Sequence, residues 1–271
     1  MDITSLQNPK VKYIVKLRED KRQRKLDGLM LVEGYDELTL ALSTGLKPQT
    51  VLTAPELASV SMDIPAVEIV TVTRAVFEKI SYRDNPDGWL GIFPVPKTTL
   101  EDLKLGESPF VIVAESVEKP GNLGAILRTA DAAHVDAVIV CDPRVDLWNP
   151  NVVRASRGTI FTVPTVEADS QTALAWIKRR PDGSSFAHRV EGSRKMRVLA
   201  ATPSAEVLYT DVDLKEPIAL AVGTEDEGLT DFWMQNADIK VKIPMLGKVN
   251  SLNVSIATAL ITYEAVRQRN L

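Results

Sequence analysis

The spacing of hydrophobic positions changes at about residue 109. Before it, apolar runs alternate with helical patterns. The segment NPKVKYIVKLREDKRQRK (8–25) sets Val11, Ile14 and Leu17 three apart, which predicts a helix with one inward face. LMLVEG (29–34) reads as a strand, DELTLALSTG (36–45) as a short helix ending at Gly45, and TVLTA (50–54) as a second strand. After VTRAVFEKIS, the stretch SYRDNPDGWLGIFPVP turns at Asn85-Pro86-Asp87-Gly88 and leads into another strand. The proline-punctuated, polar segment PVPKTTLEDLKLGESP (94–109) marks a domain boundary.

From 109 onward strand, loop and helix repeat. PFVIVAE, VDAVIVC, IFTVPTV, MRVLAAT, PIALAVG and IKVKIP are candidate strands, most of them unbroken apolar runs, while NLGAILRTADAA and NPNVVRASRG carry helical patterns. Unbroken runs belong to strands covered on both faces, so an α/β unit with a mostly parallel sheet is the economical reading. The insertion RRPDGSSFAHRVEGSR (179–194) has turn chemistry and little to pack, and reads as an exposed loop. The organisation expected is a small α/β domain at 1–95, a linker at 96–108 and a larger domain at 109–271.

Composition narrows the classes. A chain of 271 residues, 45% of them apolar, can bury more than one core. Stretches such as PIALAVG and VSIATALI are far too short to span a bilayer, so no membrane partner is expected. MDITSLQNPKVKY has neither the apolar core of a signal peptide nor a transit-peptide pattern, which makes the cytoplasm the expected location. Cys141 is the only cysteine, which excludes an intramolecular disulfide, and with only His134 and His188 besides no metal centre is expected. The net charge of −4 argues against coating of nucleic acid by overall charge. Charge is nevertheless uneven: residues 8–25 carry eight Lys and Arg against Glu19 and Asp20. That stretch suits a polyanion partner, and suits a solvated helix equally well.

In open α/β sheets ligands collect beyond the carboxyl ends of the strands. Three loops there are unusual. ESVEKPGNLGAILRTADA turns at Pro120-Gly121 and presents Asn122 as a cap for the next helix, on which Gly124, Arg128 and Asp131 form one stripe. An Arg128–Asp131 ion pair on a wet face is the plain alternative to a ligand-facing arginine. AVGTEDEGLT brackets Glu225, Asp226 and Glu227 between Gly223 and Gly228, either as a solvated turn or as a place where a glycine admits a ligand to the backbone. GKVNSLN offers Ser251 and Asn253 before the final helix, and is longer and more polar than capping requires. Neither G-x-G-x-x-G nor G-x-x-x-x-G-K-[ST] occurs, so a dehydrogenase or phosphate-loop enzyme lacks its fingerprint.

KPGNLGAILRTADA, NPNVVRASRG, VGTEDEGL and IPMLGKVNSLNVSIATALITYEAVRQ together resemble the ordered motifs of the SpoU (TrmH-like) RNA ribose 2′-O-methyltransferases, across roughly 109 to 269. SLQNPKVKYIVKLR, LVEGYDELTLALSTG and SYRDNPDG are similar, more loosely, to the ribosomal-protein-like substrate domain of the rRNA-directed members. The resemblance implies methyl transfer from S-adenosyl-L-methionine to a ribose 2′-hydroxyl in structured RNA, rRNA ahead of tRNA, by a homodimer. It implies the SPOUT fold, whose C-terminal segment threads a deep trefoil knot, a feature no periodicity predicts. It assigns Arg128, Asn122, Glu225, Ser251 and Asn253 to catalysis, and Gly223, Ile243, Met245, Leu246 and Leu252 to the cofactor. Gly223 is expected to let the cofactor lie against the strand end. Arg154 and Arg157 are expected along the RNA path. A non-catalytic RNA-binding dimer is the other reading, against which the joint presence of the five catalytic candidates speaks.

Overall fold

The computed structural model describes residues 2–62, 64, 67–179, 195–224 and 226–270. Apart from Arg179, the polar loop expected at 179–194 lies outside the described residues, and so does Glu225. The chain begins with β1 (Asp2–Ile3), α1 (Pro9–Glu19), α2 (Lys21–Asp27), β2 (Leu29–Glu33), α3 (Tyr35–Ser43), β3 (Thr50–Thr53), β4 (Glu68–Val72), α4 (Arg74–Ile80) and β5 (Trp89–Pro94). It continues with β6 (Phe110–Glu115), α5 (Pro120–Ala132), β7 (Ala137–Cys141), α6 (Pro150–Ala155), α7 (Thr159–Thr162), β8 (Thr165–Ala168) and α8 (Ser170–Ile177). The last elements are β9 (Arg197–Ala201), β10 (Val207–Leu208), β11 (Ile218–Val222), α9 (Asp231–Asn236), β12 (Ile239–Lys242) and α10 (Val254–Arg269).

Contacts gather these elements into two compact units. One comprises the residues up to Lys97 together with Asp146–Thr162, the other Thr98–Val145 together with the residues from Val163 on. Chain order groups Asp146–Thr162 with the second unit, but packing sets it in the first. There α6 lies on β2 and α7 on α3, and the Arg24 guanidinium grips Asp146 Oδ2 at 2.6 and 2.9 Å while also donating to the Leu17 and Arg18 carbonyls. Arg24 is buried, so its charge needs that carboxylate and those carbonyls.

The first unit holds a five-stranded sheet in the order β1-β4-β3-β5-β2, with β1, β4 and β3 mutually parallel and β5 antiparallel to both its neighbours. β4 is a strand the run pattern misses, because EIVTV buries only Val70 and Val72. The basic segment is two helices instead of one. Asp20 is extended and its carboxylate accepts from the Arg22 and Gln23 amides, ending α1 and capping α2, while Val11, Ile14 and Leu17 point inward as their spacing predicts.

The second unit carries the expected parallel sheet, seven strands in the order β10-β12-β9-β11-β6-β7-β8, with every pair parallel. β6, β7 and β11 are buried at every position, the mark of strands covered on both faces. IFTVPTV is not one strand: residues 159–162 close a helical turn, and pairing with β7 begins at Thr165, just beyond Pro164, which has no amide hydrogen to give a ladder. Behind the sheet the fully buried Trp233 donates its indole N–H to Ser170 Oγ at 3.0 Å, and Ser170 donates to Asp142 Oδ2 at 2.6 Å.

Cys141 ends β7 in this core, where burial pushes its thiol pKa up, helped by the Asp142 and Glu115 carboxylates. The thiolate is the reactive form, so native protein is expected to resist iodoacetamide and to alkylate only on unfolding in urea, as mass spectrometry would record. No helix among the described residues is long and apolar enough to cross a membrane, and no group of three or more His, Cys, Asp or Glu among them could hold a metal ion.

Candidate active site

β11 stops at Val222, and Gly223 leads into a tight turn closed by Thr224 and Gly228, whose amides and carbonyls bond reciprocally at 3.0 and 3.2 Å. The Thr224 hydroxyl also accepts from the Glu227 amide at 3.1 Å. A methyl group on Gly223 would overlap the Gly228 carbonyl and the Leu229 amide nitrogen. Glycine at 223 is therefore required by the protein's own backbone, which folds back across it. Gly228, at φ +72°, supplies the left-handed residue that lets the turn close.

Beyond this turn lies a cavity of about 670 Å³, bounded by residues 201–204, 222–224 and 226–229 and by parts of 234–261. Gly223, Ile243, Met245, Ser251 and Leu252, all expected at the site, line it. Leu246 does not; it is 97% exposed. The lining mixes apolar groups such as Val222, Leu229 and Met234 with Thr202, Ser204 and Asn250, and with the carboxylates of Asp226 and Glu227. Such a cavity has the size and chemistry for a nucleoside, and its two acids suit a positively charged tail.

A smaller cavity of about 100 Å³ shares Gly223, Thr224, Asp226, Glu227 and Val254 with the first and adds Lys119, Asn122 and Arg144. Here two of the expected residues meet. Asn253 Nδ2 donates to Asn122 Oδ1 at 3.1 Å, and Asn253 Oδ1 caps α10 by accepting from the Ser255 amide and hydroxyl at 2.9 and 2.6 Å. Asn122 itself is no cap: α5 begins at Pro120, with Lys119 at the cap position, because Pro suits the first helical position. Asn253→Ala removes the cap and the cross-link, and is expected to lower stability by about 1 kcal/mol in urea denaturation, with α10 otherwise intact.

Arg128 stands elsewhere on α5. It is exposed and lines a groove with Ser255, Ile256, Leu260 and Tyr263 of α10, while Leu123, Ile126 and Leu127 are buried on the packed side of the helix. The structure thus joins Asn122 to Asn253, sets Ser251 at the large cavity, and leaves Arg128 outside both cavities.

The sequence profile of the SpoU rRNA Methylase family matches residues 109–263, more than half of the chain. The chain belongs to that family. Residues 8–91 match the profile of an MRM3-like substrate binding domain. A crystal structure described as an RNA 2′-O ribose methyltransferase is 37% identical, with a TM-score of 0.83 and both chains covered in full. The 23S rRNA (guanosine(2553)-2′-O)-methyltransferase of Bacillus subtilis is 26% identical, covering 96% of this chain and 97% of that protein. An AdoMet-bound rRNA methyltransferase from Sinorhizobium meliloti superposes with a TM-score of 0.83 at 29% identity, covering 98% and 97% of the two chains.

Two groups at this SpoU methylase site escape sequence reasoning. Glu115, buried at the end of β6, accepts from the Thr230 amide and hydroxyl at 2.8 and 2.6 Å and so ties β6 to the start of α9. A lone acid closing the apolar run FVIVAE was its signal. Arg144 bridges Glu118 and, at 3.7 Å, Glu227, linking the two loops around the smaller cavity. In sequence it is one more loop arginine.

Proposed function

We propose that this SpoU-family chain transfers the methyl group of S-adenosyl-L-methionine to a ribose 2′-hydroxyl of structured RNA, rRNA ahead of tRNA. The observation that carries the reading is the Asn122–Asn253 bond beside a nucleoside-sized cavity at the carboxyl ends of parallel strands. The names of the relatives, which specify ribose 2′-O positions of 23S rRNA, support the substrate. Residues 1–95 serve as the RNA-binding domain, 96–108 as linker and 109–271 as the catalytic domain. Family membership also supports the trefoil knot and a cytoplasmic, dimeric enzyme. The exposed Ile256, Leu260 and Tyr263 on α10 supply an apolar face for a second copy.

When bound, S-adenosyl-L-methionine supplies an electrophilic methyl on sulfonium. Gly223, Ile243, Met245 and Leu252 would hold its nucleoside part together with the Leu246 backbone, and Asp226 and Glu227 would offset the positive charge of its tail. Asn122 and Asn253, cross-linked, fix the loops on either side, while Ser251 and Glu225 complete the hydrogen bonding around the ribose. Arg128 grips the target phosphate and ribose. A guanidinium keeps its proton throughout the physiological range, so Arg128 orients the acceptor and offsets charge developing on the 2′-oxygen. Because Arg128 cannot take the hydroxyl proton, that proton would pass to solvent water.

Incubation with labelled S-adenosyl-L-methionine and total rRNA or tRNA, followed by mapping of ribose methylation, tests the reading. Label on ribose of rRNA is the expected result. Label confined to tRNA moves the substrate to the second choice, and label on bases refutes ribose as the acceptor.

A further inference from the structure

α9 is fixed at two points, each at the carboxyl end of an inner strand. In its body Trp233 is fully buried and donates to Ser170, which in turn donates to Asp142 just beyond β7. At its start Thr230 donates through its amide and its hydroxyl, at 2.8 and 2.6 Å, to the carboxylate of Glu115, the last residue of β6 and 3% exposed. Threonine at a helix start ordinarily turns its hydroxyl oxygen to the helix's own amides. Thr230 makes no such bond and directs its hydroxyl to a residue 115 positions away. Two donors converge on one side chain, and at this length a carboxylate offers two acceptor oxygens where an amide offers one.

The 224–228 turn just before Thr230 is held less firmly. Thr224 and Gly228 bond to each other, and the Glu227 amide to the Thr224 hydroxyl, all within the turn. An outward tie, Glu227 to Arg144 at 3.7 Å, joins side chains 78% and 54% exposed, where ion pairs contribute little. Thr230 is thus the joint between an anchored helix and a loosely tied turn that walls both cavities. On the other side of Glu115 the chain runs through Val117, Glu118 and Lys119, which line the smaller cavity, into α5 and Asn122. One buried carboxylate therefore stands where both walls of that cavity begin.

We propose that Glu115 is a positioning residue for methyl transfer: it lines neither cavity, and acts through Thr230 by holding the 224–228 turn closed before S-adenosyl-L-methionine arrives. The inference rests on the proposal that this cofactor fills the larger cavity. Without the clamp the turn is open in part of the molecules, the cofactor selects the closed fraction, and the apparent Kd rises by the inverse of that fraction. Bound cofactor then keeps the turn closed, so turnover at saturation keeps its rate. A tie that served stability alone would lower Tm and leave the affinity of the folded protein unchanged.

Calorimetric titration of the full-length chain with S-adenosyl-L-methionine, well below Tm, tests this. Thr230→Val keeps the branched shape but leaves one buried carboxylate oxygen without its donor. It is expected to raise Kd by about 10- to 100-fold, the range for losing a hydrogen bond to a charged group, with kcat at saturating cofactor unchanged. Thr230→Ser keeps both donors and is expected to restore the affinity, while Glu115→Gln, with one acceptor oxygen for two donors, weakens binding as Thr230→Val does. In cofactor-free Thr230→Val, hydrogen exchange is expected to quicken at the Gly228 and Thr230 amides and to stay as in the wild type in β6 and β11. Wild-type Kd in Thr230→Val, equal losses in Thr230→Val and Thr230→Ser, or exchange quickened across the whole sheet overturns the inference. Methyl incorporation, assayed separately, keeps the two ideas apart. Cofactor binding that depends on Thr230, without transfer to RNA, sinks the activity and leaves the clamp standing; a wild type that does not bind the cofactor overturns both.

Discussion

Arg128→Ala is expected to lower kcat for methyl transfer by about 10²- to 10³-fold while S-adenosyl-L-methionine binding, read by calorimetry, stays as in the wild type. The size follows from loss of a preorganised charged donor at the reacting oxygen. The selectivity follows from position, because Arg128 lines the α5–α10 groove and neither of the two cavities beside the 224–228 turn. Arg128→Lys separates two roles. A lysine keeps the charge but loses the planar fork, so a positioning arginine predicts that the variant is nearly as impaired as alanine. High turnover with a pH profile moved toward the lower lysine pKa would instead make residue 128 a base. Equal incorporation by the wild type and Arg128→Ala would remove it from the mechanism.

Gly223→Ala is expected to cost about 3 kcal/mol in urea denaturation, the upper end of what overpacking costs, and to abolish cofactor binding with it. The added methyl overlaps backbone, the Gly228 carbonyl and the Leu229 amide, so no side chain can turn aside to relieve it. Moving that backbone opens the 224–228 turn, which forms a wall of both cavities. Gly247→Ala is the control: nothing lies within 4 Å of a Cβ there, so a change of similar chemistry in the neighbouring loop is expected to leave stability and binding as they are. If Gly223→Ala binds S-adenosyl-L-methionine normally, the turn is not the frame of the cofactor site.

The inward face of α1, the helical pattern of α5, the doubly buried strands and the turn clusters of three loops were legible because each depends on short-range order: a three-four spacing, an unbroken run, a cluster of turn residues. Legibility failed where a neighbour distant in sequence decided the outcome. Asp20 divides the basic helix by capping, which local propensity leaves open, and β4 is defined by pairing with β1 and β3 more than by its own pattern. Glu115 and Arg144 looked like ordinary loop or strand-end charges until folding brought Thr230 and Glu227 beside them.

By itself the sequence determined the parallel α/β class, the motifs that mark the family, and the residue types gathered at the strand ends. Periodicity and composition are properties of consecutive residues, so they survive without coordinates. Only the tertiary structure decided that Asp146–Thr162 packs with the N-terminal elements, that Asn122 meets Asn253 across 131 positions while Arg128 faces a different groove, and that Gly223 is required by backbone folded back upon it. These depend on which distant segments come within a few ångströms of each other, and close packing, unlike pattern, is not written in any one stretch of chain.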